Sequence, residues 1–152
     1  MKKIIIISTI VLFSWSCTKV PISGRRQLNL LPEREMLSMS LTSYRDFLSK
    51  SQVVPAGDKN SIMVRNVGSK ISQAVAQFMK QKGLSKRIAG YKWEFNLVND
   101  KVVNAWCMPG GKVVVYSGLL PVTQDEASLA VVMGHEIAHA VARHGNERMS
   151  QG

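Results

Sequence analysis

An α+β fold is predicted by three features of this chain: two stretches with apolar stripes at helical spacing, an alternating stretch followed by a Pro-Gly-Gly turn, and a run of apolar and small residues near the end that holds two of the three histidines. Together they place two amphipathic helices, a small antiparallel sheet with an exposed edge strand, and one buried helix within a single predicted domain over residues 32–152.

The elements follow in order. Pro32 suits the first turn of a helix, and Leu37, Leu41, Tyr44 and Leu48 recur at spacings of four, three and four, on one face. "VVPAGDKN" breaks the period and reads as a loop. Val64, Val67, Ile71, Val75 and Phe78 form the stripe of a second helix, and Gly83 suits its C-terminal cap. In "YKWEFNLVN" Trp93, Phe95 and Leu97 alternate with Lys92, Glu94 and Asn96, the pattern of a half-buried strand. Pro109-Gly110-Gly111 between two apolar stretches predicts a hairpin. Thr123 and Glu126 match a capping box at the start of the last helix. Residues 127–141 are almost all apolar or small, so this helix is expected to be buried on every side and to end at Gly145.

The ends of the chain and its charge bound the class. Residues 4–13 are largely apolar behind Lys2 and Lys3, too short to span a bilayer and arranged as a secretory signal peptide over residues 1–16. Cys17 follows Ser16 where cleavage is expected, a pattern similar to a bacterial lipoprotein signal, which implies a lipid on Cys17. The family pattern favours leucine three residues before the cysteine, where this chain has Ser14. Residues 17–31 read as a lipidated tether, and with no Asp behind Cys17 the outer membrane, facing the periplasm, is the expected location. Cys107, between Trp106 and Met108, is left without a disulfide partner and is expected to be a buried, inert thiol. The formal charge is +10, or +8 once Lys2 and Lys3 are removed. It is scattered and not interleaved with aromatics, so nucleic acid is not an expected partner.

The chemistry lies in "MGHEIAHAVARHGNERM". His135 and His139 are four apart, about 40° from each other on a helix, so both imidazoles can reach one metal ion. Glu136 projects about 100° from His135, placed to act on a metal-held water without ligating it. This is the H-E-x-x-H logic: two neutral imidazoles hold Zn²⁺, the ion lowers the pKa of its water, and the glutamate takes the proton. His144 lies nine residues beyond His135, about 900° of helical rotation, so it faces the opposite side and is excluded as a third ligand. A metal-free structural helix is the bland alternative, but imidazoles in a greasy helix are costly unless paired.

With "NAWCMPGGKVVVYSGLL" ahead of "DEASLAVVMGHEIAHAVARHGNERMSQ", the chain resembles the HtpX/Ste-type zinc metallopeptidases, in their soluble Oma-like and BepA-like bacterial lipoprotein branch. The pattern N-A-[FW]-x-x-P-G-G, Y-x-G-L-L and H-E-x-x-H-x-x-x-R-H is matched by Asn104, Ala105, Trp106, Pro109, Gly110, Gly111, Tyr116, Gly118, Leu119, His135, Glu136, His139, Arg143 and His144. The likeness covers nearly all of the chain after Cys17. It implies a zincin-like gluzincin: His135 and His139 as zinc ligands, Glu136 as general base, and residues 105–115 as the edge region that meets substrate backbone, with Asn104, Ala105, Trp106, Gly110 and Gly111 as substrate-binding residues.

The family's third ligand is a glutamate on a helix tens of residues past the motif. The chain is therefore expected to be the N-terminal part of a longer domain holding one Zn²⁺, with weak zinc binding and no turnover of its own. The function implied is a metalloendopeptidase of the cell envelope acting on unfolded or misassembled proteins. The alternative is a non-enzymatic, chaperone-like envelope factor that binds unfolded clients through its edge strand.

Overall fold

The computed structural model describes residues 17–19, 24 and 26–151; the expected signal peptide, residues 1–16, lies outside the described residues. The order is β1 (Cys17–Lys19), β2 (Arg26–Leu28), α1 (Glu33–Lys50), α2 (Lys59–Gln81), β3 (Glu94–Val98), β4 (Ala105–Met108), β5 (Lys112–Tyr116), α3 (Leu120–Thr123), α4 (Glu126–Val141) and α5 (His144–Gln151). Short 3-10 turns cover Ser85–Ile88 and Ser117–Leu119. Among the described residues, no helix is long and apolar enough to cross a membrane.

The expected α+β class and both amphipathic helices are present, but the sheet is mixed where an antiparallel one is predicted. Strand order is β3-β5-β4: β5 pairs antiparallel with β4 and parallel with β3. The hairpin folds so that β5, not β4, takes the middle. The reason is hydrophobicity: Val113, Val114 and Val115 are each 0% exposed, as suits a strand covered on both faces. Gly110 and Gly111 take φ of 89° and 79° in the hairpin turn, and a Cβ on Gly111 would lie 2.7 Å from the Trp93 ring.

Helix layers cover the two faces. Val113 and Val115 join Val64, Val67 and Met79 of α2, Leu97 of β3, and Leu129, Met133 and Ile137 of α4 in the main core. The other face meets α1, where Tyr44 packs with Val98 and Val114, and Phe47 with Trp106, their rings edge to face at 5.0 Å. The central strand's Lys112 crosses to this side and pairs with Glu94, while the buried Tyr44 hydroxyl, pushed up to about 12 by desolvation, accepts from Asn96.

Local signals determine most element ends. Asp58 caps α2 by accepting from the Asn60 and Ser61 N–H groups. At its far end Gly83, φ 69°, closes a Schellman motif in which Gly83 N donates to Lys80 O and Leu84 N to Met79 O. The tether stretch is in part paired and docked. Cys17 sits opposite Leu28 in β1–β2, Gln27 is 2% exposed, and Asn146 of α5 donates to Leu31 O at 2.9 Å.

Candidate metal centre

The histidine helix is organised differently from its sequence reading at three points. Its N-cap is Asp125, whose carboxylate accepts from the Ser128 N–H at 2.7 Å. Thr123 instead ends α3 and donates back to Leu120 O, and Glu126 pairs with Lys70. The capping box loses because Gln124, at φ 64°, separates the two helices, so Thr123 belongs to the preceding turn. Hydrogen bonding from Ser128 holds the Asp125 carboxyl below the usual carboxylate range.

Burial is the second difference. Leu129, Met133, Ile137, Ala140 and Val141 face the core, while Ala127, His135 and Ala138 are exposed and Val131 is 72% exposed. α4 is thus covered on one face among the described residues, not on every side. The outer face carries Ala127, Val131, His135 and Ala138, while Leu129, Met133, Ile137 and Val141 pack into the core.

The third concerns its end. α4 stops at Val141 and α5 begins at His144, so Gly145 lies inside the next helix. Arg143 takes φ 63°, the left-handed position usual for a glycine after a helix, and its guanidinium pairs with Glu33 at 2.8 Å. The C-terminal carbonyls of α4 are met by side chains distant in sequence. Arg87 donates to Val141 O at 2.9 Å and Ala142 O at 3.3 Å, Gln27 to Ala142 O at 3.0 Å, and the Tyr91 hydroxyl to Ala140 O at 3.1 Å. A cation at a helix C-terminus also suits the macrodipole. Burial lowers the Arg87 pKa and raises that of Tyr91.

These anchors hold the histidines in a chain of contacts. His135 Nε2 and His139 Nε2 are 2.9 Å apart, their rings nearly perpendicular with centroids at 4.4 Å. The i, i+4 spacing thus brings both nitrogens to one point, as two ligands of one ion require. His139 turns its other nitrogen to His144, Nδ1 to Nδ1 at 2.6 Å. The expectation that His144 faces away from His135 follows an unbroken helix, and the turn at Arg143 breaks that helix.

Glu136 and His139 line a groove of about 730 Å³ between α1, β4 and the two C-terminal helices. Met36 and Met39 of α1, Trp106 and Met108 of β4, and Met149 of α5 supply apolar walls. Cys107 also faces this groove and is half-buried, not fully buried; desolvation and then the Glu136 charge push its thiol up to about 12.

The residues expected to meet substrate are divided by the topology. β4, the sheet edge, carries Ala105 and Trp106, with Asn104 exposed just before it. The Trp106 indole N–H donates to the Tyr116 hydroxyl, and its ring faces Phe47. Gly110 and Gly111 lie in the buried turn, their carbonyls already accepting from Lys92 and Glu94 N–H groups.

The donor set fits a zinc ion in part. Two imidazole nitrogens converge, the number H-E-x-x-H supplies, but among the described residues no group of three or more His, Cys, Asp or Glu forms a metal cage. Sequence reasoning missed Arg87, Tyr91, Gln27 and the role of His144. Only the Arg143-His144 pair carried a signal, as a match to the family pattern.

The model of peptidase family M48 matches residues 65–152. The mitochondrial metalloendopeptidase OMA1 of Schizosaccharomyces pombe is 33% identical over 133 residues, covering 86% of this chain and 36% of the relative. Its Saccharomyces cerevisiae counterpart is 31% identical over 137 residues, covering 88% and 39%. The beta-barrel assembly-enhancing protease of Yersinia pestis is 33% identical over 131 residues, covering 82% and 27%. The chain therefore spans little more than a third of the length of the first of these relatives. With the histidine helix and β4 inside the matched span, the chain belongs to peptidase family M48.

Proposed function

We propose that this protein provides the H-E-x-x-H half of a zinc-dependent metalloendopeptidase active site. The observation that carries the reading is the convergence of His135 and His139 Nε2 at 2.9 Å, with Glu136 on the wall of the adjoining groove. His135 and His139 would hold the ion. When bound, it would supply a polarised water of lowered pKa and a Lewis acid for the scissile carbonyl. Glu136, on the groove wall, would serve as the general base that takes up a proton there and returns it to the leaving amine. β4 pairs on one side only among the described residues, which suits addition of an extended substrate as a further strand along Asn104, Ala105 and Trp106. Gly110 and Gly111 shape the turn that ends this edge.

The remaining ligand is proposed to be a glutamate from a helix following the motif in the complete domain. The substrates are proposed to be unfolded or misassembled envelope proteins, in line with the beta-barrel assembly for which the Yersinia relative is named. A lipid on Cys17 would hold the protein at a bacterial outer membrane facing the periplasm, whereas the OMA1 relatives are named as mitochondrial. The test is casein cleavage, with metal analysis, by protein expressed from the complete reading frame and by its Glu136→Gln variant. Zinc in both with cleavage only in the first is expected. Equal cleavage by the two would overturn the assigned mechanism.

The open edge of β4 also favours a second reading, in which the protein binds unfolded clients without cutting them. That reading expects client binding to survive zinc removal and no cleavage by either form.

A further inference from the structure

We infer that His144 is a positioning residue of the metal centre: its Nδ1 accepts the Nδ1–H of His139 and so fixes the tautomer in which the His139 Nε2 lone pair is offered to a metal ion. The assignment rests on His135 and His139 being the ligands of the proposed peptidase.

Two imidazoles meeting nitrogen to nitrogen at 2.6 Å share one proton, so one ring donates and the other presents a lone pair. A neutral histidine that ligates through Nε2 carries its proton on Nδ1. His139 must therefore donate and His144 accept. The reverse arrangement would put a proton on His139 Nε2, the nitrogen that faces His135 Nε2 and would have to offer its lone pair to the ion. Histidine ligands commonly have their outer nitrogen oriented by a carboxylate, carbonyl or water. In this chain a third imidazole takes that place.

The backbone is built to deliver it. Five residues further along an unbroken helix, His144 would stand about 140° round the axis from His139. The left-handed turn at Arg143 brings it back, and three contacts hold that turn. Arg143 N donates to Ala140 O at 3.0 Å, its guanidinium pairs with Glu33, and Asn146 ties the start of α5 to Leu31. The left-handed residue is an arginine and not a glycine because the same position must reach Glu33.

Two measurements on the intact protein test this. In the metal-free protein, nitrogen-15 NMR of the imidazoles should report His139 protonated on Nδ1. Zinc affinity, from competition with a chelator, should fall by about 10–100-fold in His144→Ala. His144→Asn, whose amide oxygen can occupy the Nδ1 position, should return it to within about threefold of wild type, since the acceptor is restored. A merely structural role would not single out the acceptor in this way. Wild-type affinity in His144→Ala, or His139 protonated on Nε2, overturns the inference. The wild-type tautomer decides even if the alanine variant does not fold. Failure of the wild type to bind zinc overturns the peptidase reading instead and leaves the tautomer to judge His144.

Discussion

Replacing Arg87 by alanine removes the cation that closes the C-terminus of α4. The guanidinium makes two hydrogen bonds there, to Val141 O at 2.9 Å and Ala142 O at 3.3 Å. A charge-assisted bond of good length contributes about 1.5–3 kcal/mol. The second bond is longer, and Ala142 O keeps Gln27 as a donor, so its loss adds little. The favourable interaction with the helix dipole adds about 0.3–1 kcal/mol. Half-exposure of the side chain pulls toward the lower end, and the expected loss is about 2 kcal/mol. For a chain of this size that is a fall of roughly 4–8 °C in melting temperature, read by circular dichroism. Arg87→Lys, which keeps the charge without the fork, should recover about half of it. Zinc affinity should fall with stability, because the loosened residues lead directly to His144. Stability of Arg87→Ala within about 0.5 kcal/mol of wild type, the range of an uninvolved surface change, would refute the capping role.

Other outcomes follow from single contacts. Gly68→Ala puts a Cβ 2.3 Å from the Phe95 ring, which is stacked on Trp93, and should cost about 1–3 kcal/mol in urea denaturation. Combined with Phe95→Leu, it should cost less than the sum of the two changes. Asp125→Ala should destabilise α4, and the gap to wild type should depend on pH. The folded carboxyl titrates below its unfolded value, so its contribution is complete above about pH 4 and is lost as pH falls through the lower folded pKa. Matched acid titrations of the two proteins should show their stabilities converging at low pH. Cys107 should react with iodoacetamide at pH 8 at least tenfold more slowly than an exposed thiol, because a pKa near 12 leaves little thiolate. Mass spectrometry of the timed reaction reads this directly.

Much of what depends on neighbours a few residues apart was legible in the sequence. The stripe from Val64 to Phe78, the Schellman cap at Gly83 and the Pro-Gly-Gly hairpin are local, set by helical period, tolerance of positive φ and turn chemistry. The meeting of His135 and His139 is local too, because four residues span one helical turn. Extrapolation failed where a local rule was carried past a break. The capping box at Thr123 stopped at a positive φ on Gln124, and the rotation from His135 to His144 stopped at another on Arg143.

Only the tertiary structure decided the rest. Alternation and turn chemistry cannot say which arm of a hairpin lies inside; packing on two faces placed β5 between β3 and β4 and left β4 at an edge. Apolar composition alone could not say that α4 is covered on one face, because burial depends on what else the fold brings near. Its C-terminal carbonyls are met by Gln27, Arg87 and Tyr91, and the turn beyond is held by Glu33. A single sequence carries no mark of such long-range bonds, since each donor reads as an ordinary polar residue until the chain closes. The two imidazoles and the carboxylate of the motif follow from residue order alone. The folded chain decided the third imidazole beside them, because that contact needs a left-handed turn anchored from the far end of the domain.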